Sequence, residues 1–103
     1  MPKLNELLGW KIVGHETITV SNTAVGFTIV GRNVQRASCS VASNGIRWKA
    51  DGTDPTASTG EPAGPSDYTS YFYVDGEDVA DFKVIRSSGS DAELNVIYEA
   101  RHP

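Results

Sequence analysis

The feature that most constrains the fold of this chain is a two-residue alternation of apolar and polar side chains. Its longest run is Asp91–Ala100, where the apolar members share one face: Ala92, Leu94, Val96 and Tyr98. Alternation of this kind indicates a β-strand with one face buried. Polar turns separate such runs at roughly 8–12 residues, which is typical of antiparallel sandwiches and barrels. The pattern predicts an all-β fold, an antiparallel β-sandwich or jelly-roll-like barrel of seven to eight short strands.

The other predicted strands are shorter than this one. They are Glu16–Val20, Ala24–Val30, Arg36–Ala42, Ile46–Ala50, Ser70–Val74 and Asp81–Arg86, and a short apolar run, Trp10–Val13, ends at Gly14. The turn Ser43-Asn44-Gly45 predicts a hairpin between the strands on either side of it. Trp10 and Trp48 are expected to anchor the core. Cys39 alternates with apolar residues and is expected to be a small buried hydrophobe.

The chain divides into an N-terminal arm (residues 1–10), one sandwich domain (residues 11–100) and a tail (residues 101–103). In the arm, Leu4, Leu7 and Leu8 have the spacing of a short amphipathic helical turn. An apolar arm that docks on a neighbour fits the same residues. Residues 51–69 form a long acidic loop rich in Gly and Pro, and a loop of that length is usually functional or mobile.

Charge and hydropathy argue against several classes of protein. A net charge of −4 without a basic run argues against binding to nucleic acid. No apolar stretch approaches the ~18 residues of a membrane span, so no membrane partner is expected. The first residues lack the apolar region of a secretory signal, and one cysteine cannot form an internal disulfide framework. We expect a soluble protein that is not exported.

The sequence contains no recognisable catalytic or metal-binding constellation. Its histidines are His15 and His102, and neither accompanies a nucleophile in a known motif. Cys39 has no partner at zinc-ligand spacing, and the glycines occupy turns rather than a phosphate-binding loop. We therefore expect no enzymatic activity, no catalytic residues, no metal and no cofactor.

Acidic residues are concentrated in the second half of the chain. Between Ala50 and Phe82 there are eight carboxylates and no Lys or Arg: Asp51, Asp54, Glu61, Asp67, Asp75, Glu77, Asp78 and Asp81. These acids could face a basic partner surface, bind calcium at residues 51–54 or 75–78, or cap turns in solvent. The calcium alternative lacks the full twelve-residue loop spacing.

The aromatic residues Tyr68, Tyr71, Phe72 and Tyr73 indicate an interface. Alternation places Tyr71 and Tyr73 on one face of a strand, and Phe72 and Val74 on the other, so one pair is core and the other half exposed. A protein interface is favoured over a glycan site. The candidate partner-binding residues are Leu4, Leu7, Leu8, Trp10, Asp54, Glu61, Asp67, Tyr68, Tyr71 and Tyr73.

Three blocks of the chain resemble a family of small virion structural proteins of tailed bacteriophages. The first is Arg47–Gly60, which has the form Arg-aromatic-x-x-Asp-Gly-Thr-x-Pro-Thr-x-x-x-Gly. The second, Phe82–Arg86, reads Phe-x-x-Ile-Arg, and the third, Asp91–Tyr98, reads Asp-Ala-x-Leu-x-Val-x-Tyr. Residues Thr17–Thr28 also resemble the first half of these proteins. The chain departs from the family pattern at Glu61–Tyr73, so no function of that segment is carried over.

The resemblance implies a capsid-associated β-sandwich, a decoration or cement protein that binds and stabilises the lattice of the major capsid protein. It implies a homo-oligomer, a trimer or a dimer, on the capsid surface of a virion, produced in the host cytoplasm. Several weak contacts made together would give durable attachment. The alternatives are another virion component, in the tail or head–tail region, and a glycan-binding module in host adhesion.

Overall fold

The computed structural model describes residues 9–29, 34–66 and 69–101, and within them almost all regular structure is β. The strands are β1 (Trp10–Val20), β2 (Arg36–Ser43), β3 (Ile46–Lys49), β4 (Glu61–Ala63), β5 (Tyr71–Asp75), β6 (Lys83–Arg86) and β7 (Ala92–Arg101), and one helical turn, α1 (Asp78–Asp81), precedes β6. The seven strands form two antiparallel sheets, one in the order β1-β7-β2-β5 and one in the order β4-β3-β6. The predicted all-β sandwich is confirmed.

The core lies between the two sheets and is built from the alternating residues of the longer strands. Leu94, Val96 and Tyr98 of β7 are buried, while their neighbours along the strand are exposed or nearly so. Aromatic rings pack together in this core: Phe27 stacks on Phe82 with ring centroids 4.1 Å apart. Such contacts stabilise the fold beyond the apolar area they bury.

Two predictions about the core are confirmed. Trp48 packs on the core, stacked on Phe72 with ring centroids 4.8 Å apart. Cys39 is 1% exposed on the inner face of β2. Burial disfavours the thiolate and raises the pKa of Cys39 to about 12, so the residue is a buried hydrophobe rather than a nucleophile.

The predicted hairpin at Ser43-Asn44-Gly45 is wrong, although the turn itself is present. Asn44 has a φ of 59°, and its side-chain amide donates to the carbonyl oxygen of Asp91 at 2.8 Å. The strands before and after the turn nevertheless belong to different sheets, because β2 pairs with β7 and β5 and β3 pairs with β4 and β6. The turn carries the chain from one sheet to the other.

Two predicted boundaries in the first third of the chain are also wrong. Gly14 does not end a strand: β1 runs through it, with a register irregularity between Ile12 and Gly14 that a β-bulge accommodates. The last residue of the predicted arm, Trp10, belongs to β1, and residues 1–8 of that arm lie outside the described residues. The expected strand at Ala24–Val30 is reduced, over its described residues, to one bridge between Val25 and Val84.

The segment predicted as a long loop, residues 51–69, contains more regular structure than expected over its described residues, 51–66 and 69. It contains β4, a bridge between Thr56 and Thr59, and the buried ring of Pro55. Further along, the first residue of the predicted strand Asp81–Arg86 belongs to α1. At the other end, β7 extends through Arg101 into the predicted tail, whose last two residues lie outside the described part.

Candidate protein-binding face

The outer side of the four-stranded sheet carries exposed aromatic residues. The strand register aligns Tyr73, Ser38, Ile97 and His15 in one cross-strand row, and Tyr71, Ser40, Asn95 and Thr17 in the next. Tyr71 is 76% exposed, Tyr73 61% and Ile97 40%. The predicted separation of Tyr71 and Tyr73 from the inward Phe72 and Val74 is confirmed.

Two serines lie between the tyrosines of β5 and the side chains of β7. Directly opposed residues have Cβ atoms about 5 Å apart, so Tyr73 and Ile97 stand roughly 10 Å apart across Ser38. Tyr71 and Asn95 stand similarly across Ser40. The face therefore has a shallow trough with a hydroxyl floor and one aromatic wall.

An arginine–aromatic cluster closes one end of this trough. The Arg36 guanidinium lies over the Trp10 ring at 4.0 Å and over the Tyr73 ring at 4.8 Å. It also donates to both carboxylate oxygens of Glu99, at 3.1 and 3.2 Å, a bidentate pair that fixes its plane. Arg101 lies 5.3 Å from the Trp10 ring. The cluster joins β1, β2, β5 and β7 on the solvent side.

The position of Trp10 corrects the expectation that it anchors the core. Trp10 is half-buried at the start of β1, and its partner across the sheet is Arg101 rather than a buried apolar residue. An indole can lie on the surface at low cost when cations cover its ring, because the cation–π attraction offsets part of the exposed apolar area.

We call this surface the aromatic face and define it by Trp10, Arg36, Ser38, Ser40, Tyr71, Tyr73, Asn95 and Ile97. Its composition is that of a protein interface, in which aromatic residues and Arg are enriched and Lys is depleted. The described lysines, Lys11, Lys49 and Lys83, all lie elsewhere. A face of this kind can bind a partner.

The residues proposed from sequence as a binding set do not all meet. The structure brings Trp10, Tyr71 and Tyr73 onto one face. It places Asp54 and Glu61, both exposed, in the β3–β4 connection and in β4, which belong to the other sheet. Five of the proposed residues lie outside the described part of the chain: Leu4, Leu7, Leu8, Asp67 and Tyr68.

Sequence reasoning missed Arg36, Ser38, Ser40, Asn95 and Ile97 as members of the binding set. The polar alternation of β2 is visible in the sequence and is consistent with the outward position of both serines. What could not be read was that β5 and β7 flank β2, since strand pairing depends on residues far apart along the chain. That pairing alone makes the serines the floor of a trough.

The acidic turn that was a calcium candidate has a structural role within the chain. Asp51 accepts hydrogen bonds from the hydroxyl of Thr53 at 2.6 Å and from its backbone N–H at 3.0 Å. These bonds lower the pKa of Asp51 below its ordinary value. Over residues 9–29, 34–66 and 69–101, no three His, Cys, Asp or Glu side chains are grouped closely enough to hold a metal ion.

A cleft beside the three-stranded sheet is a weaker candidate for a binding site than the aromatic face. It has a volume of about 420 Å³ and lies between β3, β4 and the turn after β6. Its charged lining residue, Arg47, donates to the carbonyl oxygen of Gly60 at 3.0 Å. That guanidinium thus helps to hold the β3–β4 connection in place.

Comparisons with known proteins do not assign a function. The chain matches no protein-family model, no curated protein and no solved structure. In the described residues, no helix has the length and apolar character needed to cross a membrane. The aromatic face is therefore the main guide to function.

Proposed function

We propose that this protein is a non-enzymatic binding module that docks on another protein through the aromatic face. The observation that carries the proposal is the joint exposure of Tyr71, Tyr73 and Ile97 on one side of a rigid sheet. Aromatic residues in such a position commonly supply most of the binding energy of an interface, and the Arg36–Trp10 cluster adds a rigid, partly desolvated cation at one end.

We propose further that the partner is the major capsid protein of a tailed bacteriophage and that this chain decorates and stabilises its lattice. The support is the resemblance of Arg47–Gly60, Phe82–Arg86 and Asp91–Tyr98 to small virion proteins. Those blocks include β3, β6 and most of β7, which are framework elements of the sandwich. Tyr71 and Tyr73 lie in the segment that departs from the family pattern. The resemblance therefore does not account for these two residues of the aromatic face.

Attachment of this kind needs several weak contacts rather than one strong one. Copies held in a symmetric oligomer, a dimer or a trimer, would bind the lattice together and gain avidity without any new contact. The leucines of the N-terminal arm remain a predicted second contact. The protein would then be made in the host cytoplasm and reside on the capsid surface, with no nucleic-acid or membrane partner.

The test is co-sedimentation with phage heads from which the protein has been stripped. We expect saturable binding at a fixed ratio to the capsid subunit. The double variant Tyr71→Ser/Tyr73→Ser should bind much more weakly, and Tyr71→Phe/Tyr73→Phe, which keeps both rings, should bind nearly as well as the native protein. Failure of the native protein to bind heads would contradict the capsid proposal and direct the same assay to isolated tails.

A second candidate, glycan binding, is favoured by one row of the aromatic face. Tyr71 is almost fully exposed, and Ser40 and Asn95 follow it across the sheet with hydrogen-bonding groups suited to sugar hydroxyls. Tyr73 is a poorer platform because Arg36 lies over its ring. Binding to immobilised glycans that Tyr71→Ser abolishes and Tyr73→Ser leaves intact would establish this function instead.

A further inference from the structure

The four sheet edges of the sandwich differ in how well they are protected from another chain. The edge at β6 is covered, since Val84 exchanges backbone hydrogen bonds with Val25 at 3.0 and 2.8 Å, and Arg86 N–H donates to the Ser21 carbonyl at 3.0 Å. The edge at β4 is three residues long and contains Pro62, which has no N–H to donate. Short strands and prolines are the usual means of blocking an edge.

The edge at β1 lacks these protections. It is 11 residues long, contains no proline and ends the sheet order beyond β7. Within the described part of the chain, Trp10–Val20 make no backbone hydrogen bond outside the pairing with β7. The edge at β5 has 5 residues. A long strand with unpaired backbone groups is a ready template for a further strand.

The run Gly14–Val20 of β1 is also suited to pairing with a copy of itself. The irregularity at Ile12–Gly14 sets one limit of the regular strand. Beyond it the run contains no proline, and its second half, Thr17–Val20, has high β-propensity, a feature of segments that self-pair. Its one carboxylate, Glu16, is turned towards the core and towards Thr28, in the segment that follows β1. It accepts hydrogen bonds from the Thr28 N–H at 3.1 Å, from the Thr28 hydroxyl and from the Tyr98 hydroxyl. It therefore presents little charge to a second copy.

We propose that Gly14–Val20 pairs antiparallel with the same run of a second copy, about a twofold axis at Thr17. In this register Thr17 opposes Thr17, His15 opposes Thr19, and Glu16 opposes Ile18, so no two residues of like charge meet across the junction. Threonine pairs are favourable cross-strand neighbours. The two four-stranded sheets become one eight-stranded sheet, with an aromatic face on each half.

The paired run is short, and this sets the strength of the dimer. It spans roughly 23 Å, so the buried area is below the ~800 Å² per partner of a standard interface. We expect a weak dimer, with a dissociation constant on the order of 100 μM in solution. The junction is a surface separate from the aromatic face, so the inference does not depend on the proposed function.

The test is sedimentation of the full chain over a concentration series spanning this value. Thr17→Lys should weaken association at least ~10-fold, because it places two lysines about 5 Å apart across the axis. A matched control is Asn95→Lys. It removes the same hydrogen bond, since Thr17 donates to Asn95 at 2.8 Å, and adds the same charge one strand away. Its two lysines would lie roughly 14 Å apart, beyond the screening length at physiological salt.

A charge-swap mixture fixes the register. Thr17→Lys and Thr17→Glu should each be monomeric alone and should associate when mixed, because opposite charges then meet at the axis. A native protein that stays monomeric to ~1 mM would overturn the inference, as would association that Thr17→Lys leaves intact. Dimerisation without binding to heads would support this inference and contradict the capsid proposal. Head binding by a protein that stays monomeric would support the capsid proposal and contradict this inference.

Discussion

The two sheets of this sandwich present different surfaces to solvent. The outer side of the four-stranded sheet carries Tyr71, Tyr73 and Ile97 beside small serines. On the three-stranded sheet, Arg47, Lys49 and Lys83 occupy outward positions together with Ile85, and all four are half-buried. The first surface is aromatic and free of lysine, whereas the second carries three cationic side chains.

The polar groups of the three-stranded sheet are partly used within the chain. Arg47 donates to Gly60, and Lys49 donates to Thr53 at 3.4 Å, so both side chains stabilise the connection to β4. Lys49 also opposes Lys83 across the sheet, so two like charges are cross-strand neighbours there. We infer that this side was shaped for folding and solubility and the aromatic face for binding.

Removing the Phe82 ring from the core should have the largest effect on stability. Phe82 is fully buried and stacks on Phe27. Phe82→Ala should lower the free energy of unfolding by about 3–5 kcal/mol, measured by chemical denaturation, because it leaves a cavity in the core. It should impair binding only through loss of folded protein. A variant that folds normally but fails to bind would contradict the separation of the core from the aromatic face.

Truncating the exposed tyrosines should separate binding from stability. Tyr71→Ser/Tyr73→Ser should weaken head binding by about 2–4 kcal/mol, or roughly 30- to 1,000-fold, if both rings are buried on docking. The free energy of unfolding should change far less, since both rings are exposed. The control on the opposite sheet, Lys49→Ser/Lys83→Ser, should leave binding unchanged. Equal losses in the two double variants would contradict the assignment of the face.

The arginine–aromatic cluster should show an intermediate effect on both properties. Trp10→Ala removes the ring beneath Arg36 and should cost about 1–2 kcal/mol of stability, with a similar loss of head binding. Trp10→Phe keeps a ring for the cation and should recover most of both. No change in either property with Trp10→Ala would show that the cluster does not organise this end of the face.

The smallest expected effect is a change in stability with pH, which comes from Glu16 of β1. Burial alone would raise the pKa of Glu16, but hydrogen bonds from Thr28 and Tyr98 outweigh it and hold that pKa below its ordinary value of 4.5. The carboxylate therefore stabilises the fold above about pH 4.5, and this contribution is lost as the pH falls through the lower pKa of the folded state. We expect a loss below about 1 kcal/mol, since the group is partly exposed.

Two variants isolate this contribution. Glu16→Gln cannot ionise, so its stability should fall less between pH 6 and pH 3 than that of the native protein. Tyr98→Phe keeps the buried ring and removes one donor, so it should reduce the acid-dependent loss. Parallel stability curves for all three proteins over this range would contradict the role given to Glu16.

Sequence patterns predicted which way side chains face far better than which strands are neighbours. Alternation in β2 and β7 identified the inward residues because one face of each strand is buried. In β5 it separated Tyr71 and Tyr73 from Phe72 and Val74 without specifying which pair is inward. The turn at Asn44 was correctly placed, but its hairpin was wrong, since local turn chemistry does not specify whether the next strand joins the same sheet. Trp10 was misplaced because the cations that cover it, Arg36 and Arg101, are distant in sequence.

The central claim is that the aromatic face, and not the cationic side, meets the partner. The most direct test is chemical labelling of the head-bound and free protein, with tyrosine nitration and lysine acetylation quantified by mass spectrometry. We predict that binding strongly reduces the labelling of Tyr71 and Tyr73 and leaves Lys49 and Lys83 unchanged. Protection of the two lysines with full labelling of the two tyrosines would contradict it.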